Sequence, residues 1–178
     1  METTSMANDP ARQIAILIED YYEDLELQYP RLRLLEAGFR PVIAGPGRGV
    51  YKGKNGYPQR EDITFDALDA ANFAGVIIPG GWAPDRIRRS KKVLEFVANI
   101  HLSGKLVASI CHGPWVLVSA KILNNKNMTC VEAIRDDVVN AGARWSNKEV
   151  VVDRNLITSR IPDDLPAFMR EILIFLNS

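Results

Sequence analysis

The sequence has few cysteines and histidines, no excess of charge of either sign and no long apolar run. Its 178 residues include two cysteines and two histidines, and 22 basic residues balance 22 acidic ones. Cys111 and Cys130 give neither a disulfide framework nor metal-ligand spacing, so we expect reduced thiols, no metal site and no cofactor. The balanced and dispersed charge excludes the electrostatic footprint of a protein that binds nucleic acid or an anionic membrane. Small neutral partners are therefore favoured.

The lack of a long apolar run bears on location and on domain number. No run approaches the roughly 20 residues that a membrane helix needs, and residues 1–12 are polar without the apolar core of a signal peptide. We expect a cytoplasmic protein with a flexible N-terminal segment at residues 1–12. Residues 13–178 then form a single domain, since a chain of this length buries roughly 70% of its unfolded surface in one core.

Apolar runs of strand length alternate with segments of helical periodicity. Strands are predicted at Ile14 to Ile18, Pro41 to Ala44, Gly75 to Ile78, Leu106 to Ile110, Val150 to Asp153 and Leu156 to Ser159. Helices are predicted from Leu25 to near Gly38 and over Ser90 to Ser103, Trp115 to Ala120 and Pro162 to Leu176. The Asn-Gly pair within Tyr51 to Arg60 predicts a hairpin. This alternation indicates an α/β fold with a mainly parallel sheet covered on both faces.

Three strands are followed by segments rich in reactive or flexible residues. Glu19–Glu23 follows the first strand, Pro79–Gly81 the third and Cys111–Gly113 the fourth. Because ligands of open α/β sheets bind beyond the carboxyl ends of the strands, we expect these loops to meet at one edge. A cysteine between a strand and a helix start lies where unpaired N–H groups favour the thiolate. A free cysteine can also be a small buried apolar residue, but the Cys-His-Gly-Pro context favours a nucleophile.

The two histidines limit which cysteine chemistry is available, since a cysteine hydrolase usually needs a histidine base. His101 ends the helix before the fourth strand and should lie at the opposite edge of the sheet. His112 is next to the cysteine, and neighbouring side chains normally diverge. Because no histidine follows position 112, the triads of a class I glutamine amidotransferase and of an α/β-hydrolase are excluded.

A carboxyl group remains as the partner that tunes the thiol, and Glu19, Asp20 and Glu23 are the candidates. An ionised carboxylate would repel a thiolate, whereas a carboxyl that keeps its proton could donate a hydrogen bond to it. Acids at Glu23, Asp24 and Glu26 are equally explained by the dipole of the helix that follows. The spacing alone leaves both interpretations open.

Two further features have two interpretations each. Gly80 and Gly81 are either turn residues or a source of free backbone N–H groups that stabilise an anion beside the sulfur. Cys130 is more often a core residue than a catalytic one.

Several segments in this order resemble the ThiJ/PfpI superfamily, and in particular its branch of PfpI-type intracellular proteases, glyoxalases and deglycases. The segments are Ala108–Pro114, Glu23–Glu26, Ile78–Gly81 with Ala83–Asp85, and Asp136–Asp137 with Asn140–Gly142. The resemblance extends from about Gln13 to Leu176. It implies a flavodoxin-like three-layer sandwich in which Cys111 occupies a nucleophile elbow between a strand and a helix.

The resemblance also implies roles for individual residues. Cys111 is the nucleophile, and Glu23 is the buried carboxyl that touches its sulfur. Gly81 and the backbone amides of Cys111 and His112 form the anion-stabilising site. His112 pairs with an acidic residue of a neighbouring subunit, at the position of Asp85. A homo-oligomer, a dimer or a hexamer, with Asp85 near a subunit interface is therefore expected.

The sequence departs from close relatives at two places. Cys130-Val131-Glu132 stands where the relatives carry Ser-Tyr-Pro, so a tyrosine hydroxyl that could line the pocket is missing. Asp85 stands where the relatives carry glutamate, which shortens its reach by one methylene.

The resemblance allows three functions. The first is a stress or detoxification enzyme that acts through the Cys111 thiolate on 2-oxoaldehydes, as a glyoxalase does, or on their early adducts on proteins, as a deglycase does. The second is an intracellular cysteine peptidase or amidase whose Cys-His-Asp site a neighbouring subunit completes. The third is a redox or stress sensor, or a chaperone, that uses oxidation of Cys111.

Overall fold

A computed structural model of the protein describes residues 9–178. Within them the strands are β1 (Gln13–Leu17), β2 (Arg40–Gly45), β3 (Val50–Lys52), β4 (Pro58–Arg60), β5 (Ile63–Thr64), β6 (Gly75–Ile78), β7 (Leu106–Ile110), β8 (Asn127–Met128), β9 (Arg144–Trp145), β10 (Val150–Asp153) and β11 (Leu156–Ser159). The α-helices are α1 (Asp24–Glu36), α2 (Ala83–Ile87), α3 (Lys91–Leu102), α4 (Pro114–Ser119), α5 (Arg135–Asn140) and α6 (Leu165–Leu176).

A seven-stranded sheet forms the centre of the fold, in the order β10-β11-β7-β6-β1-β2-β5. Its neighbours pair in parallel except for the edge strand β10, which is antiparallel to β11. All residues of β6 and β7 are buried, because helices cover both faces of the sheet. Helix α1 packs against α6, and α3 packs against α4. The predicted α/β sandwich with a mainly parallel sheet is confirmed.

Strands β1, β6 and β7 are neighbours, so the three loops that follow them come together at one edge of the sheet. An antiparallel bridge joins Tyr22 to Gly81. The Glu23 N–H also donates to the Gly80 carbonyl at 3.2 Å. The expected convergence of the loops is therefore present, and it is fixed by backbone hydrogen bonds.

The predicted hairpin is formed by β3 and β4, and it is attached to the start of α1. Gly56 adopts a φ of 93° in its turn, which is the backbone region that glycine adopts without strain. The Asp24 carboxylate accepts hydrogen bonds from the N–H groups of Asn55 and Tyr57, each at 2.9 Å. The Tyr22 hydroxyl donates to the Tyr57 carbonyl at 2.6 Å. These bonds bring the hairpin tip beside the loop after β1.

The chain ends differ from the predicted boundaries. Pro10–Arg12 form a short 3-10 turn capped by the Asp9 carboxylate, so this part of the predicted flexible segment has a regular conformation; residues 1–8 lie outside the described residues. Pro162–Asp164 form a 3-10 turn before α6 begins. Between residues 9 and 178, no helix combines the length and the apolar character needed to cross a membrane.

Candidate active site

Cys111 lies between β7 and α4 in the left-handed backbone region, with a φ of 61°. Such a conformation costs a residue other than glycine about 1–3 kcal/mol unless its surroundings enforce it. The Cys111 N–H donates to the Ser159 carbonyl at 3.2 Å, and its carbonyl accepts from the Val131 N–H at 3.4 Å. At Gly113 a Cβ would overlap the Ile78 carbonyl, so only glycine fits behind the turn. The strand-to-helix elbow expected at Cys111 therefore has a strained geometry that β11 and the loop after β8 hold in place.

Two kinds of group surround the partly buried Cys111 sulfur. The His112 Nδ1 lies 3.3 Å from Sγ. The backbone N–H groups of Gly81 and His112 interact with the sulfur, and both lower the pKa of the thiol. The expectation that the side chains of Cys111 and His112 diverge is wrong, because the left-handed turn at Cys111 brings both to the same side.

The carboxyl group beside the Cys111 side chain is that of Glu26, because a Cβ on Gly80 would lie 2.6 Å from Cys111 Cβ and 2.7 Å from Glu26 Oε2. Glu26 is 0% exposed, and its Oε2 accepts a hydrogen bond from the Gly80 N–H at 2.7 Å. Among the described residues, its Oε1 has no hydrogen-bond partner. The site therefore contains a fully buried carboxyl with a single N–H donor.

The prediction that Glu23 touches the sulfur is wrong. Glu23 precedes the first residue of α1 and has an extended backbone, which turns its side chain toward the hairpin. There its carboxylate forms an ion pair with Lys54. Glu26 lies almost one helical turn later, so it faces the loop after β6. The candidates Glu19 and Asp20 instead pair with Arg48.

Burial controls the protonation of the Cys111–Glu26 pair. Burial, followed by the negative charge of Glu23, raises the pKa of Glu26 from about 4.5 to about 8, so the Glu26 carboxyl keeps its proton at neutral pH. Burial followed by the charge of an ionised Glu26 raises the pKa of Cys111 to about 12. That second cause disappears when Glu26 is protonated, and the carboxyl can then donate a hydrogen bond to a thiolate.

His112 is a neutral imidazole at physiological pH. Burial, followed by the positive charge of Lys54, lowers the pKa of His112 below its ordinary value. Its ring lies between Trp82 and Trp115, with centroid distances of 5.6 and 5.1 Å. A neutral imidazole 3.3 Å from the sulfur can accept the thiol proton.

The backbone amides at the elbow differ in availability. Those of Gly81 and His112 face the sulfur, and their role as an anion-stabilising site stays a prediction. The Cys111 amide is not free, because its N–H extends the pairing of β7 with β11 by one bond to Ser159. That part of the prediction is wrong.

Asp85 lies in α2 with a side chain that is 51% exposed, and it forms an ion pair with Arg89 at 2.5 Å. Within one chain it therefore faces Arg89 rather than His112. Its contact with a neighbouring subunit stays a prediction.

His101, Cys130 and Val131 lie at or near the positions that the sequence predicts for them. His101 is in the last turn of α3, and the Asn155 side chain at the amino end of β11 donates to its carbonyl at 3.1 Å, which confirms the opposite edge of the sheet. Cys130 is a fully buried core residue, and burial raises its pKa to about 12. Val131, the position at which the resemblance led us to expect a tyrosine, donates its N–H to the Cys111 carbonyl and so lies beside the elbow.

The sequence motifs do not reveal the site roles of Glu26 and Lys54. Glu26 belongs to the recognised Glu23–Glu26 motif, but the motif contains three acids and no sign of which one faces the sheet. Lys54 lies in a hairpin turn, where a lysine is ordinary, and its partner is distant in the chain.

The fold and the site together define a flavodoxin-like α/β protein with a cysteine-centred site. The pattern of the DJ-1/PfpI family matches residues 12–174. The chain is 44% identical over 165 residues to "Deglycase PfpI" of Pyrococcus furiosus, covering 93% of this chain and 99% of that protein. It is 40% identical over 168 residues to "Putative cysteine protease YraA" of Bacillus subtilis, covering 94% of this chain and 99% of that protein.

Solved structures agree with these matches. A two-domain protein of Anabaena variabilis with DJ-1/ThiJ/PfpI-like and ferritin-like domains superposes with a TM-score of 0.91 at 43% identity, covering 93% of this chain and 48% of that one. The chain therefore belongs to the DJ-1/PfpI family, and the resemblance noted from its motifs is confirmed.

We predict that Glu26 makes stability fall as the pH rises. Below about pH 4.5 the carboxyl is protonated in both the folded and the unfolded chain. Between about 4.5 and 8 the unfolded chain ionises Glu26 while the folded one keeps the proton, so the free energy of unfolding decreases by a few kcal/mol. Glu26→Gln lacks this titration. In urea unfolding, the free energy of unfolding of the variant should rise relative to that of the wild type between pH 5 and pH 8.

Glu36→Gln is the matched control, since Glu36 is on the same helix with an exposed side chain. Its stability difference from the wild type should change little over this range. A difference between wild type and Glu26→Gln that is the same at pH 5 and pH 8 would contradict the buried, protonated carboxyl.

Proposed function

We propose that the protein is a cysteine-dependent enzyme acting on 2-oxoaldehydes or on their early adducts on amines. One observation carries the proposal: the Cys111 sulfur lies between a carboxyl that keeps its proton and a neutral imidazole 3.3 Å away, with two N–H groups directed at it. A thiol in such surroundings can lose its proton to the imidazole and react as a thiolate. The relative from Pyrococcus furiosus named a deglycase supports the substrate class.

The first step is addition of the sulfur to the aldehyde carbon. The thiol proton passes to His112 Nδ1, the C–S bond forms, and the electron pair of the carbonyl π bond moves to the oxygen. The N–H groups of Gly81 and His112 stabilise the negative charge around the reacting atoms. The oxyanion then takes the proton from the imidazolium and gives a hemithioacetal.

The second step moves a proton between adjacent carbons. His112 removes the proton from the carbon bound to sulfur, and the resulting enediol is reprotonated at the neighbouring carbon, which leaves a thioester. Water hydrolyses the thioester, so the products are a 2-hydroxy acid and the free thiol. The overall reaction converts the 2-oxoaldehyde and one water molecule into the 2-hydroxy acid, and it needs no external oxidant. With an adduct on an amine, the sulfur attacks the carbon that carries the nitrogen and the C–N bond breaks. The amine leaves with the thiol proton, and the same hemithioacetal forms.

We expect wild-type protein to form a 2-hydroxy acid from methylglyoxal and Cys111→Ala to form none. Glu26→Gln should lose on the order of tenfold in rate, because an amide is a weaker hydrogen-bond donor to the thiolate than a protonated carboxyl. The measurement is chromatographic quantification of the hydroxy acid, with the concentration of buffer amines varied to separate free aldehyde from its adducts.

Cys130→Ala is the control for thiol identity, since Cys130 is fully buried in the core. It should keep most of the activity. Undiminished turnover in Cys111→Ala would rule the mechanism out.

Peptide or amide hydrolysis is the second candidate, and the contact between Cys111 Sγ and His112 Nδ1 favours it. A cysteine hydrolase needs such a nucleophile and base, and the Bacillus subtilis relative is named a putative cysteine protease. In this proposal the protein is a homo-oligomer, and Asp85 of a neighbouring subunit orients the imidazole. The exposure of Asp85 and of Trp82, which is 60% exposed beside His112, is compatible with an interface there.

For this second candidate, we expect Asp85→Asn to lose peptide hydrolysis and to keep hydroxy-acid formation, because only the former needs the third residue. Peptidase activity per subunit should also fall when the oligomer is dissociated by dilution. Activity that is unchanged on dissociation would contradict completion of the site by a neighbouring subunit.

A further inference from the structure

Lys54 brings a positive charge to the site from the hairpin between β3 and β4. Its Nζ forms an ion pair with the buried Glu23 carboxylate, and its side chain is 44% exposed. Its backbone N–H donates to the Tyr22 carbonyl at 2.9 Å. Asp24 anchors the adjoining turn residues, so the backbone of Lys54 is held in place. The ion pair with Glu23 then fixes its ammonium group.

Glu23, the anion of the ion pair, is bonded through its backbone to the residue that packs against the Cys111–Glu26 pair. The Glu23 N–H donates to the Gly80 carbonyl at 3.2 Å. Gly80 in turn is packed between the two reacting groups, since a Cβ on it would lie 2.6 Å from Cys111 Cβ and 2.7 Å from Glu26 Oε2. Gly80 therefore contacts the Glu23 backbone on one side and the Cys111–Glu26 pair on the other, and Glu23 lies three residues before Glu26 in the chain.

The two charges of the ion pair act with different strength on Cys111 and on Glu26. The hydrogen bond and charge of Glu23 raise the pKa of Lys54, and the charge of Cys111 contributes more to that rise than the charge of Glu26 does. Burial and then the charge of Glu23 raise the pKa of Glu26, and the weaker effect of the Lys54 charge lowers it. The ammonium thus favours a thiolate, and the Glu23 carboxylate favours a protonated Glu26.

A cysteine and a carboxyl that together hold one proton have two arrangements, thiolate with acid or thiol with carboxylate. We propose that the Glu23–Lys54 ion pair is a positioning element that keeps the remaining proton on Glu26 and so keeps Cys111 as the reactive thiolate. The proposal rests on Cys111 being the nucleophile of the proposed function. The titratable groups that face the pair are Glu23 just before α1, Lys54 on the hairpin and the neutral His112 on the elbow.

The test is the rate at which iodoacetamide alkylates Cys111 between pH 5 and pH 9, followed by mass spectrometry of the Cys111 peptide. In Lys54→Met the loss of the cation should raise the apparent pKa of the reaction and slow alkylation at pH 7 on the order of tenfold. In Glu23→Gln the loss of an anion should lower the apparent pKa of the alkylation reaction. The plateau rate should nevertheless fall, since more of the remaining proton moves to the sulfur.

The opposite shifts separate this role from that of a structural clamp. If the ion pair only fastened the hairpin, breaking it from either side would have the same effect on the pH profile. Lys54→Arg keeps the charge and should restore the wild-type profile. Lys52→Met is the matched control, because Lys52 is an exposed residue of the same hairpin and should leave the profile unchanged.

An unchanged profile in Lys54→Met, or shifts of the same sign in Lys54→Met and Glu23→Gln, would overturn the proposal. Alkylation needs no substrate, so its outcome is separate from that of the proposed function. Opposite shifts without hydroxy-acid formation would remove the proposed function and leave the inference standing. Hydroxy-acid formation together with unshifted alkylation profiles would overturn the inference and leave the proposed function standing.

Discussion

The burial of the Glu26 carboxyl is the constraint on which the rest of the site depends. A fully buried carboxyl with one N–H donor, from Gly80, is far more stable with its proton than without it. The neighbouring thiol therefore meets a hydrogen-bond donor rather than a negative charge. A group kept in this state reduces the stability of the fold at neutral pH, which is a cost commonly found at functional sites.

The elbow depends on the same sheet edge. Cys111 keeps its left-handed conformation because β11 and the loop after β8 bond its backbone on both sides. That turn brings His112 to the sulfur, and the loop after β6 supplies the Gly81 amide. The hairpin adds Lys54, which no strand end of the central sheet provides. The site thus combines a rigid parallel sheet, which fixes the sulfur and its donors, with a small excursion that fixes a charge.

The sequence predicted the sheet and the position of the nucleophile better than the partners of the nucleophile. The bounds of β6 and β7 match the predicted ones because fully buried parallel strands are continuous apolar runs. Glu23 and Glu26 could not be told apart, since a shift of one residue in the start of α1 rotates each side chain by about 100°. Lys54 was not predictable, because its place depends on how Asp24 anchors the hairpin.

The most direct test of this account is the protonation state of Glu26 itself. Isotope-edited infrared spectroscopy of protein labelled at glutamate carboxyl carbons, compared with Glu26→Gln, isolates the absorption of this one group. The account predicts a protonated carboxyl band at pH 7 that is absent from the variant and disappears as the pH passes about 8. A spectrum at pH 7 in which the only band lost on substitution is that of an ionised carboxylate would contradict it.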